Sequence, residues 1–280
     1  MTSRRAPALG TISLALSCCF ALASSQAEAQ LRPLEQIPWR LFERTNTISA
    51  EVGASRLFDQ RASLAGTSGT LTEMPNFSLA WRTGRVAIEA GGTGQRVFHE
   101  DSRFEAAYPD VEAADNGKRH DSGDYRISTA IRITPDDYAV TGMLRFGTRL
   151  PTTDNTTGLD RDATDFFVTV GASGNRGVLN VAGEGGLGIY GTRETRFEQD
   201  DLFLYSIRAE LRFASFVPTL AVIGQQHGYA HEAIRGLENL SEARAGVRFG
   251  KQFWLRVEGV KGLTTFSPSG GILVTAGLVR

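Results

Sequence analysis

Charged side chains recur at every second position in stretches that are otherwise rich in Val, Ile, Leu and Phe. Side chains of a β-strand point alternately to its two faces, so this period predicts strands with one apolar and one charged face. Ten arginines and six glutamates fall on the predicted charged faces: Glu51, Arg82, Glu89, Arg126, Arg132, Arg145, Arg149, Glu184, Arg208, Glu210, Arg212, Glu242, Arg244, Arg248, Arg256 and Glu258. If the apolar faces meet lipid, these residues line an internal lumen.

These lumen residues are compatible with two functions. An excess of guanidinium groups along a narrow water path would favour anions, as in a passive channel for small solutes. Arginines and glutamates on neighbouring strands could instead pair and brace a barrel with little or no pore. The alternative to a channel is therefore a closed structural or adhesion barrel whose extracellular loops carry the function.

Hydrolytic chemistry would need a serine beside a histidine, with a third residue that orients the imidazole ring. The four histidines, His99, His120, His227 and His231, fall in or beside predicted loops, and no predicted strand carries a histidine next to a serine. The four-residue spacing of His227 and His231 in a loop is weak support for zinc binding. We therefore expect no enzymatic activity, no cofactor and no bound metal.

Two polar segments are rich in acidic side chains, residues 99–121 and residues 151–162. Their carboxylates could hold calcium or magnesium beside lipopolysaccharide phosphates. Because neither segment has regularly spaced ligands, we expect a hydrated surface instead, and residues 151–162 are too polar for a core. The glycine-rich run 183–188 is followed by neither a lysine nor a predicted helix, so it predicts close strand packing or a bend.

The beginning of the sequence has the features of a secretory signal peptide. Arg4 and Arg5 precede an apolar run over residues 9–23, and Ala27 and Ala29 supply the small residues that a signal peptidase requires. We predict a cleaved signal peptide over residues 1–29 and export through the periplasm. Residues 30–46 contain two prolines and are predicted to form an irregular periplasmic lead-in.

Composition excludes several classes of protein. The 280 residues include 30 Lys+Arg and 31 Asp+Glu, a net charge of -1, which gives no indication of nucleic-acid binding. A mean hydropathy of -0.18 is too polar for a helical membrane protein, whereas a barrel with a wet inner face meets no such objection. Both cysteines, Cys18 and Cys19, precede the predicted cleavage site, so the mature chain must fold without a disulfide.

The elements that would position the lumen residues are twelve candidate strands, predicted over residues 47–280. Their ranges are 47–58, 76–82, 86–98, 122–133, 138–150, 166–172, 177–190, 203–213, 216–228, 240–250, 253–262 and 270–280. Links after the odd-numbered strands are long and polar, and links after the even-numbered strands are tight turns. Short periplasmic turns and long outer loops are typical of an up-and-down barrel in a membrane. The predicted fold class is therefore all-β, a closed antiparallel transmembrane β-barrel of about twelve strands.

Aromatic residues support the same architecture because they cluster beside the short turns. The residues concerned are Trp81, Tyr138, Phe213, Phe216, Phe249 and Phe253. Aromatic rings are enriched at the boundary between hydrocarbon and water in membrane barrels. We predict that these six side chains form a girdle at the periplasmic boundary.

Three segments, residues 73–82, 122–127 and 150–166, occur in a characteristic order and spacing. The first reads Glu-Met-Pro-Asn-Phe-Ser-Leu-Ala-Trp-Arg and the second Ser-Gly-Asp-Tyr-Arg-Ile. The third begins Leu-Pro-Thr-Thr-Asp and continues through Gly158-Leu159 to Thr164-Asp165-Phe166. With these segments the chain resembles the outer-membrane β-barrel proteins of the meta-pathway of phenol degradation, a transporter-like family. The likeness is strongest over residues 75–190, and the Leu-Pro-Thr loop is its most specific part.

This resemblance implies a porin-like barrel in the outer membrane of a Gram-negative bacterium, which moves small solutes, often aromatic or hydrophobic ones. A barrel in that place would have outer-membrane lipid and lipopolysaccharide as partners. One feature departs from the usual pattern of such proteins, because the chain ends on Arg280 and not on an aromatic residue.

Overall fold

The computed structural model describes residues 31–35, 46–192, 199–227 and 237–280. The predicted signal peptide, most of the predicted lead-in and His231 lie outside these ranges, and their assignments stay predictions. Within the described ranges, no helix is long and apolar enough to cross a membrane.

The described chain is almost entirely β-sheet, with fourteen strands. They are β1 (Thr47–Ala62), β2 (Thr67–Thr83), β3 (Val86–Thr93), β4 (Arg96–Arg103), β5 (Lys118–Asp121), β6 (Tyr125–Arg132), β7 (Val140–Leu150), β8 (Asp165–Arg176), β9 (Leu179–Gly191), β10 (Gln199–Leu211), β11 (Phe216–His227), β12 (Leu240–Gly250), β13 (Phe253–Gly262) and β14 (Gly270–Val279). A short 3-10 turn, Asn155–Thr157, interrupts the loop between β7 and β8.

The sheet closes on itself because β1 pairs with both β14 and β2, and all neighbours are antiparallel. Two wall strands are interrupted: β3 continues into β4, and β5 continues into β6. Strand β2 pairs with β4 over residues 67–73 and with β3 over residues 76–83. Pro75 lies at this change of partner and has no amide hydrogen to donate to a ladder. The wall is therefore a closed barrel of twelve antiparallel strands, as the sequence predicted.

The two faces of the wall follow the predicted period of two. On β10, Phe203, Ile207 and Leu211 are 46%, 49% and 40% exposed, whereas Leu204 and Arg208 on the other face are buried. The six aromatic residues beside the short turns are all exposed on the outside. The outward orientation of both sets is confirmed, and it provides the apolar belt that a bilayer requires.

The glycine-rich run belongs to β9 and permits close packing of two strands. A Cβ atom at Gly186 would lie 2.0 Å from the carbonyl oxygen of Val168 on β8. No side chain fits at that distance, so the close approach of β8 and β9 requires glycine at this position.

The prediction of a long polar link after the first strand is wrong. β1 extends to Ala62, β2 begins at Thr67, and only residues 63–66 connect them. The inward residues Leu71 and Glu73 are buried, so the alternation continues through this segment. The sequence did not indicate a strand here because the outward residues Thr70 and Thr72 are polar and not apolar.

The prediction that residues 151–162 are too polar for a core is also wrong for part of the loop. Leu159, Asp160 and Arg161 are fully buried. Leu159 joins an apolar cluster with wall residues that include Leu57 and Phe98, so this loop folds into the barrel. Burial of the two charged residues is possible because each meets an opposite charge.

Residues 31–35, which the sequence assigned to a periplasmic lead-in, lie inside the barrel. Leu31 is fully buried in the same apolar cluster as Leu159. Leu34 packs against a second inner cluster, which includes Phe167 and Tyr190. This segment therefore occupies the lumen itself.

A charge on the outer face should destabilise the barrel. Ile207 lies near the centre of β10 and faces outward, so we expect Ile207→Arg to reduce the free energy of unfolding by about 2–4 kcal/mol. Guanidinium-induced unfolding in lipid vesicles measures this change, with Ile207→Leu as the apolar control. Equal stability of the arginine and leucine variants would contradict a lipid-facing position.

Candidate functional site

The sixteen sequence-predicted lumen residues all lie on the inner side of the wall. Most are buried, and the remaining ones, Glu51, Arg126, Glu184, Arg212 and Arg256, are half-buried. Fifteen of them lie in wall strands, where each alternates with lipid-facing neighbours, and Arg212 directly follows β10. A role in solute passage stays a prediction for all of them.

Arg145 is the centre of one group of ion pairs in the middle of the lumen. Its Nε lies 3.2 Å from Oε2 of Glu89, and its Nη1 lies 3.3 Å from Oε1 of Glu184. The same guanidinium donates to the backbone carbonyl of Glu35 at 3.2 Å and stacks over the ring of Phe167 at 5.3 Å. Arg145 thereby joins strands β3, β7 and β9 to the segment inside the barrel.

The segment of residues 31–35 is bound by a second group of ion pairs. Arg32 contacts Glu73 on β2 and Glu242 on β12, each at 3.2 Å. Glu35 accepts a hydrogen bond from Nη2 of Arg244 at 2.9 Å. These contacts join opposite sides of the wall through the segment.

A third group of ion pairs holds the loop between β7 and β8 at the outer end of the lumen. Arg96 on β4 lies 2.8 Å from Asp160, Arg149 donates to Asp165 at 2.7 Å, and Arg161 contacts Asp165 at 3.0 Å. Burial acts to raise the pKa of Asp160, but the guanidinium groups of Arg149 and Arg96 outweigh it and hold the pKa below its usual value. Asp160 is thus a buried partner in an ion pair and not part of a hydrated surface.

A fourth group lies at the periplasmic end. Arg256 is 3.5 Å from Glu51 on β1 and 3.0 Å from Glu258 on its own strand. Arg248 lies 3.9 Å from Glu210. The guanidinium groups of Arg248 and Arg256 lie 5.9 Å and 5.3 Å from the centre of the Trp254 ring, which are cation–π distances.

A cavity of about 250 Å³ remains between these groups. It is lined at the periplasmic end by Thr47, Arg82 and Val279 and extends inward to residues 32–35. Because Leu31 packs with Leu159 in the outer cluster, the segment lies across the lumen between that cluster and the cavity. Most lumen charges are paired, as the bracing hypothesis expects, yet a water-accessible space persists.

Sequence reasoning missed Arg32, Glu35, Glu73 and Arg96 as lumen residues. The alternation on β2 could have shown Glu73, since Leu71 and Glu73 continue the inward face. Arg32 and Glu35 lie in an irregular segment with no period, so no signal in the sequence places them in the lumen.

The histidines form no common site in the described part of the chain. His99 and His120 are exposed on β4 and β5, and His227 contacts Asp200 through Nδ1. His231 lies outside the described ranges. Among described residues no group of three or more His, Cys, Asp or Glu side chains could hold a metal ion. The expectation of no metal and no cofactor stays a prediction.

Comparison with known proteins supports the architecture. No family model and no curated protein matches the chain. Among solved structures, the COG4313 outer membrane channel from Pseudomonas putida F1 aligns with a TM-score of 0.59 and 13% identity, over 88% of this chain and 97% of that one. The CymD monoaromatic hydrocarbon channel aligns with a TM-score of 0.46 and 11% identity, over 85% and 89%.

The similarity to the Pseudomonas putida structure shows that this chain has an outer-membrane β-barrel fold, and it is consistent with the family resemblance noted from the sequence. A closed barrel with an apolar belt satisfies its backbone hydrogen bonds internally, as a bilayer demands. The fold and the apolar belt together are those of a protein whose wall spans a membrane.

Removing the central guanidinium should destabilise the barrel. In Arg145→Met, Glu89 and Glu184 lose their buried counter-charge, so we expect a loss of about 3 kcal/mol in the free energy of unfolding. The control is Arg176→Met, because Arg176 is exposed at the end of β8. Denaturant unfolding in vesicles measures both variants, and equal stability of the two would contradict a structural role for the Arg145 ion pairs.

Proposed function

We propose that this protein is a passive channel for small solutes across the outer membrane. The observation that carries this proposal is the polar cavity inside a closed barrel, which reaches the periplasmic end and is lined by charged side chains. A purely structural barrel could fill this volume with apolar side chains. A hydrated, charged cavity instead offers solutes a path that excludes lipid.

The class of solute follows from the resemblance in sequence and from the fold. The Pseudomonas putida structure with the same fold is described as an outer membrane channel. The sequence segments resemble a transporter-like family associated with phenol degradation. We therefore propose small aromatic or hydrophobic compounds among the solutes, with outer-membrane lipid and lipopolysaccharide as the surrounding partners.

The segment of residues 31–35 forms the constriction of this channel. Arg32 and Glu35 connect it to Glu73, Glu242 and Arg244 through ion pairs. These ion pairs hold the segment across the lumen beside the cavity. Solute passage would thus require a displacement of this segment within the lumen.

We also propose that the protein is not an enzyme. Of the described histidines, none donates to or accepts from a serine hydroxyl, and His227 contacts only an aspartate side chain through its ring. Nucleophilic hydrolysis needs a serine within hydrogen-bond reach of such a ring.

A closed structural or adhesion barrel remains the second candidate function. The observation in its favour is the position of residues 31–35 across the lumen, together with the extensive pairing of the lumen charges. Its loops would then carry the function.

Weakening the constriction should increase ion flow. The variant Arg32→Ala with Glu35→Ala removes the ion pairs that hold the segment, so we expect its single-channel conductance in planar bilayers to exceed that of the unmodified protein several-fold. Arg176→Ala removes one charge outside the lumen and should leave conductance unchanged.

Two outcomes would contradict the channel. Folded protein that carries no current, either unmodified or in the double variant, would favour the closed structural barrel. Equal conductance of the double variant and the unmodified protein would remove residues 31–35 from the pathway.

A further inference from the structure

Two arginines on the cavity wall differ from the others. In the part of the chain that the structure describes, Arg126 and Arg208 have no hydrogen bond and no ion pair. Arg208 is only 8% exposed, and its Nε is buried without a partner. The other arginines that line the cavity each contact a carboxylate or a backbone carbonyl, as Arg244 and Arg82 do.

The strand register explains why these two guanidinium groups lack partners. Arg208 lies between Ala182 on β9 and Ala221 on β11. Alanine offers no side-chain acceptor. The carboxylates that act on Arg208 electrostatically, Glu258 and Glu210, are in ion pairs with Arg256 and Arg248. Both neighbours are also small, which leaves space on either side of the guanidinium.

Arg126 has a similar environment on the opposite side of the wall. Its neighbours in the register are Gly91 on β3 and Arg149 on β7. A Cβ at Gly91 would lie 3.6 Å from Nε of Arg126, so the glycine leaves room for this side chain. Arg149 is itself positive and is bound to Asp165. Neither neighbour supplies a negative charge. The carboxylates that act on Arg126 electrostatically, Glu35, Glu89 and Glu184, are in ion pairs with Arg244 or Arg145.

An unpaired guanidinium in a buried place is costly, because it has lost water without gaining a counter-charge. Here both side chains line one cavity, which leaves them accessible to a small molecule. A carboxylate matches the planar donors of a guanidinium and accepts two parallel hydrogen bonds from it. Each of the two arginines thus offers free donors to an anion in this cavity.

The remaining wall of the cavity selects an organic anion. Leu34, Trp254 and Leu273 contribute apolar surface to the same space. A volume of about 250 Å³ is small for a drug-sized ligand but sufficient for a single aromatic ring with one carboxylate.

We propose that this cavity binds a small organic carboxylate, whose carboxylate group is held by Arg208 and whose apolar part contacts Trp254 and Leu273. Arg126 adds a second positive charge to the same cavity. This site would define the solute class of the proposed channel, so its physiological role rests on that proposed function. Binding itself does not depend on passage through the lumen, so the two can be tested separately.

The test is a ¹⁹F NMR titration of the mature full-length protein in detergent micelles. The probe is 4-fluorobenzoate, and its uncharged counterpart is 4-fluorobenzyl alcohol. We expect benzoate to bind about tenfold more tightly than the alcohol, as a charge-assisted hydrogen bond provides. Arg208→Gln should weaken benzoate binding about tenfold without changing the affinity for the alcohol, and Arg208→Lys should restore part of the loss.

The matched control is Arg176→Gln, which removes the same charge from the exposed end of β8 and should leave benzoate binding unchanged. Heat-dependent gel mobility shows whether each barrel is folded. If Arg208→Gln fails to fold, the comparison of benzoate with the alcohol on unmodified protein and the Arg208→Lys variant decide the question.

Equal affinities for the charged and uncharged probes would overturn the site. Equal losses in Arg208→Gln and Arg176→Gln would overturn it as well. If the protein conducts ions but does not prefer benzoate, the proposed channel is supported and the proposed carboxylate site is overturned. If the protein prefers benzoate but carries no current, the proposed carboxylate site is supported and the proposed channel is overturned.

Discussion

The hydrocarbon layer of a membrane offers no hydrogen bonds, and this constraint governs the whole structure. Each backbone N–H and C=O in the wall must pair with a neighbouring strand, so the sheet has to close, as it does between β1 and β14. The outer face must then be apolar, as with Ile207. Because side chains alternate, half of each strand points inward, and the charged residues of the wall gather there.

That crowding creates a second constraint inside the barrel, since buried charges require partners. Wall residues satisfy part of it, as Arg145 does with Glu89 and Glu184. The rest is supplied by Arg32 and Glu35 from the inner segment and by Asp160 from the loop after β7. The contacts that stabilise the wall therefore also narrow the lumen, and stability and permeability depend on the same side chains.

The sequence predicted those features that repeat along a strand. The strands 240–250 and 253–262 have the predicted bounds, and the outward face of β10 is as expected, because lipid on one side imposes the alternation directly. Prediction from the sequence failed for segments that have no repeating pattern. Leu159 and Leu31 enter the barrel through contacts with residues far along the chain, such as Leu57 and Phe98. Local pattern carries no information about such contacts, and Arg32 and Glu35, which pair with charges of the wall, were missed for the same reason.

The central claim, that alternate residues of a wall strand face lipid and lumen, is open to one direct measurement. Both cysteines lie at positions 18 and 19, so single cysteines introduced along residues 203–211 can each carry a fluorescent label. In vesicles that contain spin-labelled lipid, the account predicts strong quenching at 203, 207 and 211 and weak quenching at 204, 208 and 210. Uniform quenching along the strand, or the opposite alternation, would contradict it.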